Sequence, residues 1–63
     1  MDFFHISENG QYHTYQCQYA NLTYTIVYDF ESDHIMRIHP HLLGGVDVIA
    51  EQFKKHIGKN TLS

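Results

Sequence analysis

Three histidines near the middle of the chain are the first residues whose spacing could support chemistry. His34, His39 and His41 lie within eight residues, and Asp33 precedes the first of them. Imidazole nitrogens are common zinc ligands, and two histidines two positions apart on a regular strand share a face. Pro40 interrupts that regularity, and the pattern matches no zinc motif. We therefore interpret these histidines as surface and turn residues, and we predict no metal ligand and no cofactor.

The single cysteine is the next residue type that could be reactive. One cysteine, Cys17, excludes an internal disulfide. A nucleophilic cysteine needs a nearby base or cation to lower its pKa, whereas Gln16 and Gln18 flank this one and the first 36 residues contain no Lys or Arg. We interpret Cys17 as a small buried hydrophobe. Neither a Ser-His-Asp arrangement nor a glycine-rich phosphate loop is evident, and we predict that the protein is not an enzyme.

The elements that must position these residues are strands in the first part of the chain, within residues 3–39. Asn9-Gly10 is a strong hairpin signal, because both residues tolerate a positive φ. The run from 22 to 30 alternates most regularly, as expected of a half-buried strand. The residues of this strand that we expect to face the helix are Leu22, Tyr24, Ile26, Tyr28 and Phe30.

Apolar residues three or four positions apart predict an amphipathic helix at about 46–57, with a loose tail at 60–63. The apolar stripe consists of Leu43, Val46, Ile49, Ala50, Phe53 and Ile57. The start has two alternatives, since the helix could begin at Pro40 and include Gly44 and Gly45. A glycine inside a helix costs about 1 kcal/mol relative to alanine, which favours the start near Val46. The predicted fold is a single α+β domain, 1–63, with an antiparallel meander of three or four strands packed against one C-terminal helix.

Charge is unevenly distributed along the chain, whose formal net charge is −3. Residues 1–34 contain five acidic residues and no Lys or Arg, whereas the second half contains all four basic residues. No run of about 18 apolar residues could span a membrane, and the first residues do not resemble a signal peptide. We therefore expect a cytoplasmic protein without a membrane partner.

Five tyrosines point to a binding surface. Tyrosine is favoured at protein interfaces, and a domain of 63 residues has a marginal core that association would stabilise. We predict a non-enzymatic protein-binding module, a homodimeric regulator or stoichiometric inhibitor of a larger protein. The predicted partner-binding residues are Tyr12, Tyr15, Tyr19, Val27, Arg37, Lys54 and Lys55. The alternative is a nucleic-acid-binding regulator that uses the basic end of the helix, although strands without cations disfavour binding to phosphates.

Overall fold

The fold consists of four strands and one helix. The computed structural model describes residues 1–42 and 44–61, and for residues 59–61 it describes only the backbone. In chain order the elements are β1 (Phe4–Asn9), β2 (Tyr12–Tyr19), β3 (Leu22–Asp29), β4 (His34–His39) and α1 (Gly45–Thr61). The strands form one antiparallel sheet in the order β1-β2-β3-β4. This confirms the predicted α+β fold, a four-stranded meander with one C-terminal helix.

Tight turns with positive φ connect the first three strands. The predicted hairpin between β1 and β2 is confirmed, but its turn is shifted by one residue: Asn9 ends β1 and pairs with Tyr12, and Gly10, with a φ of 61°, begins the two-residue turn Gly10-Gln11. Between β2 and β3, Ala20 and Asn21 have φ values of 53° and 63°. Two successive positive values are typical of a turn whose twist matches the flanking strands. These short connections make neighbouring strands antiparallel and set their register.

Both edge strands contain a β-bulge. The pairing skips one residue in β1, which makes Ile6 the extra residue, and one in β4, where Met36 is the extra residue. A bulge interrupts the regular alternation of side chains, so residues on its two sides no longer follow a single period of two. The face that a side chain occupies in β1 or β4 therefore depends on its position relative to the bulge.

The core lies between the sheet and α1. Its buried apolar residues are Cys17, Tyr24, Ile26, Tyr28, Ile38, Ile49 and Phe53. The helix contributes Phe53, whose ring lies 5.3 Å from Phe3, 5.0 Å from Tyr15 and 5.3 Å from Tyr28, centroid to centroid. All three contacts are edge-to-face, the arrangement favoured by aromatic quadrupoles.

The predicted inward face of β3 is correct at its centre and wrong at its ends. Tyr24, Ile26 and Tyr28 are buried, whereas Leu22 is 41% exposed and Phe30 is 66% exposed. Phe30 follows the last residue of β3, and Leu22 is the first. Alternation identifies which residues share a face, but it does not show how far along that face the helix reaches.

The helix begins near the later of the two predicted starts and continues beyond the predicted end. Gly44 has a φ of 84° and precedes Gly45, the first helical residue. The helix includes Gly58 and extends to Thr61, so the predicted loose tail is wrong for residues 60 and 61. Leu43 and residues 62 and 63 lie outside the described part. Within that part, no helix is long and apolar enough to cross a membrane.

Candidate functional site

The sheet surface opposite α1 exposes several large apolar side chains. This surface, which we call the open face, consists of Phe4, Tyr12, Thr14, Gln16, Gln18, Thr23, Thr25, Val27, Met36 and Arg37. Phe4 is 63% exposed, Tyr12 41% and Met36 51%. Most of the other members are uncharged Thr and Gln. The open face therefore combines exposed apolar groups with neutral polar groups; by register it also includes the buried carboxylate of Asp29, and Asp2 borders it.

Three of the predicted partner-binding residues come together on the open face. Tyr12, Val27 and Arg37 line one depression with Met36. They belong to three adjacent strands, and Val27 is paired directly with Arg37. Arg37 is the only Lys or Arg in the four strands. An aromatic ring, two apolar side chains and one guanidinium are thus next to one another, a composition enriched at protein interfaces.

Two other predicted binding residues, Tyr15 and Tyr19, lie on the side of the sheet that α1 covers. Both are half-buried and pack against the core. The ring of Tyr15 contacts Phe53, and the ring of Tyr19 lies 6.4 Å from that of Tyr24. Burial raises the pKa of the Tyr15 hydroxyl, and the Glu8 carboxylate raises it further. These two tyrosines contribute to the core and not to the open face.

The two predicted lysines are exposed on α1, away from the open face. The Nζ of Lys55 lies 3.7 Å from the Oε1 of Glu51, one helical turn earlier. Lys54 borders a groove of about 610 Å³ between β4 and the helix, and His34, His39 and His41 also line this groove. The seven predicted residues are therefore divided between two sides of the molecule.

Acidic residues are largely excluded from the open face. The register places Glu8 on the helix side, opposite His13. Four more acidic residues lie in the β3–β4 turn or on α1, namely Glu31, Asp33, Asp47 and Glu51. The excess negative charge of the chain is consequently carried by other surfaces.

Asp29 ends β3 with a side chain that is enclosed by hydrogen bonds. Its Oδ1 accepts from the backbone N–H groups of Glu31 at 3.0 Å and Ser32 at 3.2 Å. Its Oδ2 accepts from the Nε2 of Gln11 at 3.1 Å. These donors, the Gln11 amide first, lower the pKa of Asp29. The carboxylate therefore holds the turn in its ionised form.

A second carboxylate ties the same turn to the core. The hydroxyl of Tyr28 donates a hydrogen bond to the Oδ1 of Asp33. Burial and this bond raise the pKa of Tyr28 to about 12. Asp33 itself has a φ of 55°, so its backbone adopts the left-handed region that Asp tolerates better than most residues. The β3–β4 turn is therefore fixed at both ends by side chains.

The residues first considered for chemistry have different surroundings. Cys17 is 1% exposed in the core, and burial raises the pKa of its thiol, which disfavours the reactive thiolate. This confirms its interpretation as a small buried hydrophobe. His34, His39 and His41 are exposed along β4 and the connection that follows it. They are not part of the one group of His and Glu side chains, within the described residues, whose ligand atoms lie close enough together to hold a metal ion.

That group consists of three residues that the sequence analysis did not single out. His5, Glu8 and His13, which we call the histidine cluster, place their ligand atoms within 4.8 Å of one another. The Nε2 of His5 lies 3.2 Å from the Nδ1 of His13 and 3.9 Å from the Oε1 of Glu8. A two-residue turn at Asn9-Gly10 would pair Glu8 with Gln11, whereas the observed turn at Gly10-Gln11 pairs Glu8 with His13, so the predicted hairpin does not indicate this contact. The position of His5 depends on the β1 bulge, which leaves no evident signal in the sequence.

Comparison of this chain with protein-family models, with curated proteins and with solved structures finds no match. Its functional interpretation therefore depends on the chemistry and geometry of its own residues.

Proposed function

We propose that the protein is a non-enzymatic protein-binding module that dimerises through the open face and acts as a homodimeric regulator of a larger protein. The observation that supports dimerisation is the exposure of Phe4, Tyr12 and Met36 on one sheet surface. Tyr12 and Met36 adjoin in one depression, and Phe4 lines another on the same face. Exposed apolar groups among polar residues are characteristic of interaction surfaces. Burying these groups against another surface removes apolar area from water, which favours association.

The distribution of charge supports a second copy of the chain as the occupant. Two copies with a net charge of −3 each would repel one another if their acidic residues met. The open face reduces this repulsion because most acidic side chains lie elsewhere, Asp29 is only 7% exposed and Arg37 adds a positive charge to the same face. A nearly neutral surface allows self-association without opposing like charges.

The two edges of the open face differ in composition. Arg37 belongs to β4, whereas Asp2 and Phe4 border the β1 side of the same face. A two-fold axis parallel to the strands would place β4 of one copy opposite β1 of the other. The strand register then sets His39 opposite Phe4 and Arg37 opposite Ser7 of the second copy, twice per dimer. Such isologous contacts are typical of two-fold interfaces.

The size of the sheet is suited to a small dimer. Four strands at about 4.8 Å spacing and up to eight residues at about 3.3 Å per residue span roughly 19 by 26 Å. That footprint is roughly 500 Å² before the relief of the side chains is counted, about three-fifths of the ~800 Å² per partner of a standard interface, so the dimer belongs to the smaller interface class. Because a domain of this length buries a smaller fraction of its surface on folding than a larger domain does, the apolar area buried on dimerisation adds substantially to its stability.

Sedimentation equilibrium on the full chain, from about 1 to about 100 µM, tests this proposal. We expect a dimer of about 15 kDa, twice the 7.4 kDa chain. Met36→Lys should weaken dimerisation at least about tenfold, because it places a charge in the buried interface (a loss of about 1.4 kcal/mol or more). Leu42→Lys is the matched control, since Leu42 is 44% exposed but lies in the connection after β4, and it should not change the dimer.

A monomer at about 100 µM would contradict dimerisation, and a dimer that Met36→Lys leaves intact would contradict the assignment to the open face. Nucleic-acid binding is the alternative outcome. It would require random-sequence DNA or RNA to bind with a steep negative dependence on salt. It would also require Lys54→Ala combined with Lys55→Ala to abolish that binding, because these lysines lie at the basic part of α1.

A further inference from the structure

We propose that the histidine cluster is a binding site for a divalent transition metal ion, and that this ion is Zn²⁺. The ligands would be the Nε2 of His5, the Nδ1 of His13 and a carboxylate oxygen of Glu8. Two imidazoles and one carboxylate are a ligand set that zinc uses in proteins. Ca²⁺ and Mg²⁺ prefer sites made entirely of oxygen ligands.

The distances in the cluster agree with this ligand set. With zinc–nitrogen bonds of about 2.0–2.1 Å and tetrahedral angles, two nitrogen ligands lie about 3.3 Å apart. The Nε2 of His5 and the Nδ1 of His13 are 3.2 Å apart. The Oε1 of Glu8 is 3.9 Å from the same Nε2, so the carboxylate needs to approach by about 0.6 Å. The Glu8 side chain is 61% exposed and free to make that rotation.

The β1 bulge is what brings the three ligands to one face. In a regular strand, residues three positions apart, such as His5 and Glu8, point to opposite faces. Because Ile6 is an extra residue, His5 pairs with Tyr15 while Glu8 pairs with His13. All of these residues consequently lie on the helix side of the sheet. Bulges often redirect side chains beside functional sites.

Aromatic neighbours hold both imidazole rings in place. The ring of His5 lies 5.1 Å from that of Tyr15, which in turn packs on Phe53 in the core. The ring of His13 lies 5.6 Å from that of Phe30. Packing against fixed neighbours limits the rotamers of the two histidines, and such preorganisation lowers the entropic cost of binding an ion. This also gives the exposed ring of Phe30 a structural role.

Three protein ligands leave at least one coordination position open. His5 is 40% exposed and Glu8 is 61% exposed, so solvent reaches the cluster directly. A water molecule or a ligand from another molecule could complete the coordination, as in zinc sites with three protein ligands. The site lies on the helix side of the sheet, so it does not depend on the proposed dimerisation through the open face.

Titration of the full chain with ZnCl₂ against a competing chromophoric chelator tests the site. We expect one zinc ion per chain, and His5→Ala or His13→Ala should lower the affinity at least about tenfold, because each removes a ligand. The matched control is the triple variant His34→Ala, His39→Ala and His41→Ala, which removes three exposed histidines outside the cluster and should bind zinc as the wild-type chain does. Met36→Lys should also bind normally, which separates this test from that of dimerisation.

The identity of the ligand atoms is tested independently by nitrogen-15 NMR of the histidine side chains. Zinc should shift the Nε2 of His5 and the Nδ1 of His13 and leave the other histidines unchanged. Glu8→Gln should weaken binding, whereas Glu31→Gln, which alters an exposed acid in the β3–β4 turn, should not. Zinc binding that survives in a folded double variant of His5 and His13, or that is lost in the triple control variant, would overturn the proposal.

Discussion

At the scale of single residues, Asp29 connects the electrostatics of the β3–β4 turn to the stability of the fold. Its carboxylate accepts two backbone N–H groups and the Gln11 amide, and its pKa is lowered in the folded protein. Between the folded and the unfolded pKa of this carboxyl group, the folded state binds fewer protons than the unfolded state. The stabilisation that the ionised Asp29 provides is therefore fully present above the unfolded pKa. It is lost as the pH falls through the lower, folded pKa.

We therefore predict that Asp29→Asn makes the free energy of unfolding less dependent on pH on the acid side. The amide oxygen of Asn can still accept the backbone hydrogen bonds of the turn, but the side chain no longer titrates. Urea unfolding between about pH 7 and about pH 2 measures this change. Glu31→Gln is the control and should retain the wild-type acid dependence. An unchanged acid dependence in Asp29→Asn would show that other carboxylates dominate.

At the scale of the elements, the two glycines of α1 have opposite structural roles. A Cβ added at Gly45 would lie 2.5 Å from the hydroxyl oxygen of Tyr24, which is 2% exposed in the core. The first turn of the helix thus approaches β3 more closely than any larger residue allows. At Gly58 an added Cβ would meet no other described atom within 4 Å outside the neighbouring residues and the helix backbone. Gly45 therefore permits close packing of helix on sheet, whereas Gly58 mainly lowers the helical propensity.

These roles predict opposite effects for the same substitution. Gly45→Ala should lower the free energy of unfolding by about 1–3 kcal/mol, because the methyl group overpacks the contact with Tyr24. Gly58→Ala should raise it by about 0.5–1 kcal/mol, the usual advantage of alanine inside a helix. Thermal and urea unfolding of the two variants, followed by circular dichroism, measures both values. If both substitutions changed the free energy of unfolding in the same direction, the proposed difference between the two positions would be contradicted.

At the scale of the whole molecule, Phe53 joins the helix to most of the sheet. Its ring is fully buried and contacts Phe3, which precedes β1, Tyr15 of β2 and Tyr28 of β3. The core contains few other side chains of this size. A domain of this length has a total stability of roughly 3–9 kcal/mol. Loss of this one ring therefore affects a large fraction of the stability.

Phe53→Ala should lower the free energy of unfolding by about 3–5 kcal/mol, the usual cost of removing a buried aromatic ring. Urea unfolding followed by far-ultraviolet circular dichroism measures this loss, and the variant should unfold at a much lower urea concentration than the wild-type chain. Phe30→Ala removes the same ring from a position that is 66% exposed and should cost less than about 1 kcal/mol. Comparable losses in the two variants would contradict the central place of Phe53.

Local patterns in the sequence determined the strand order, the hairpin between β1 and β2, the burial of Cys17 and the existence of the helix, because alternation and helical spacing are encoded in neighbouring residues. Only the tertiary structure decided which ends of β3 stay exposed, since that depends on how far the helix covers the strand. It also placed the first turn at Gly10-Gln11 and the end of α1 at Thr61. The bulge at Ile6 depends on pairing across two strands. For that reason the convergence of His5 and Glu8 on one face, and with it the histidine cluster, could not be found from residue spacing alone.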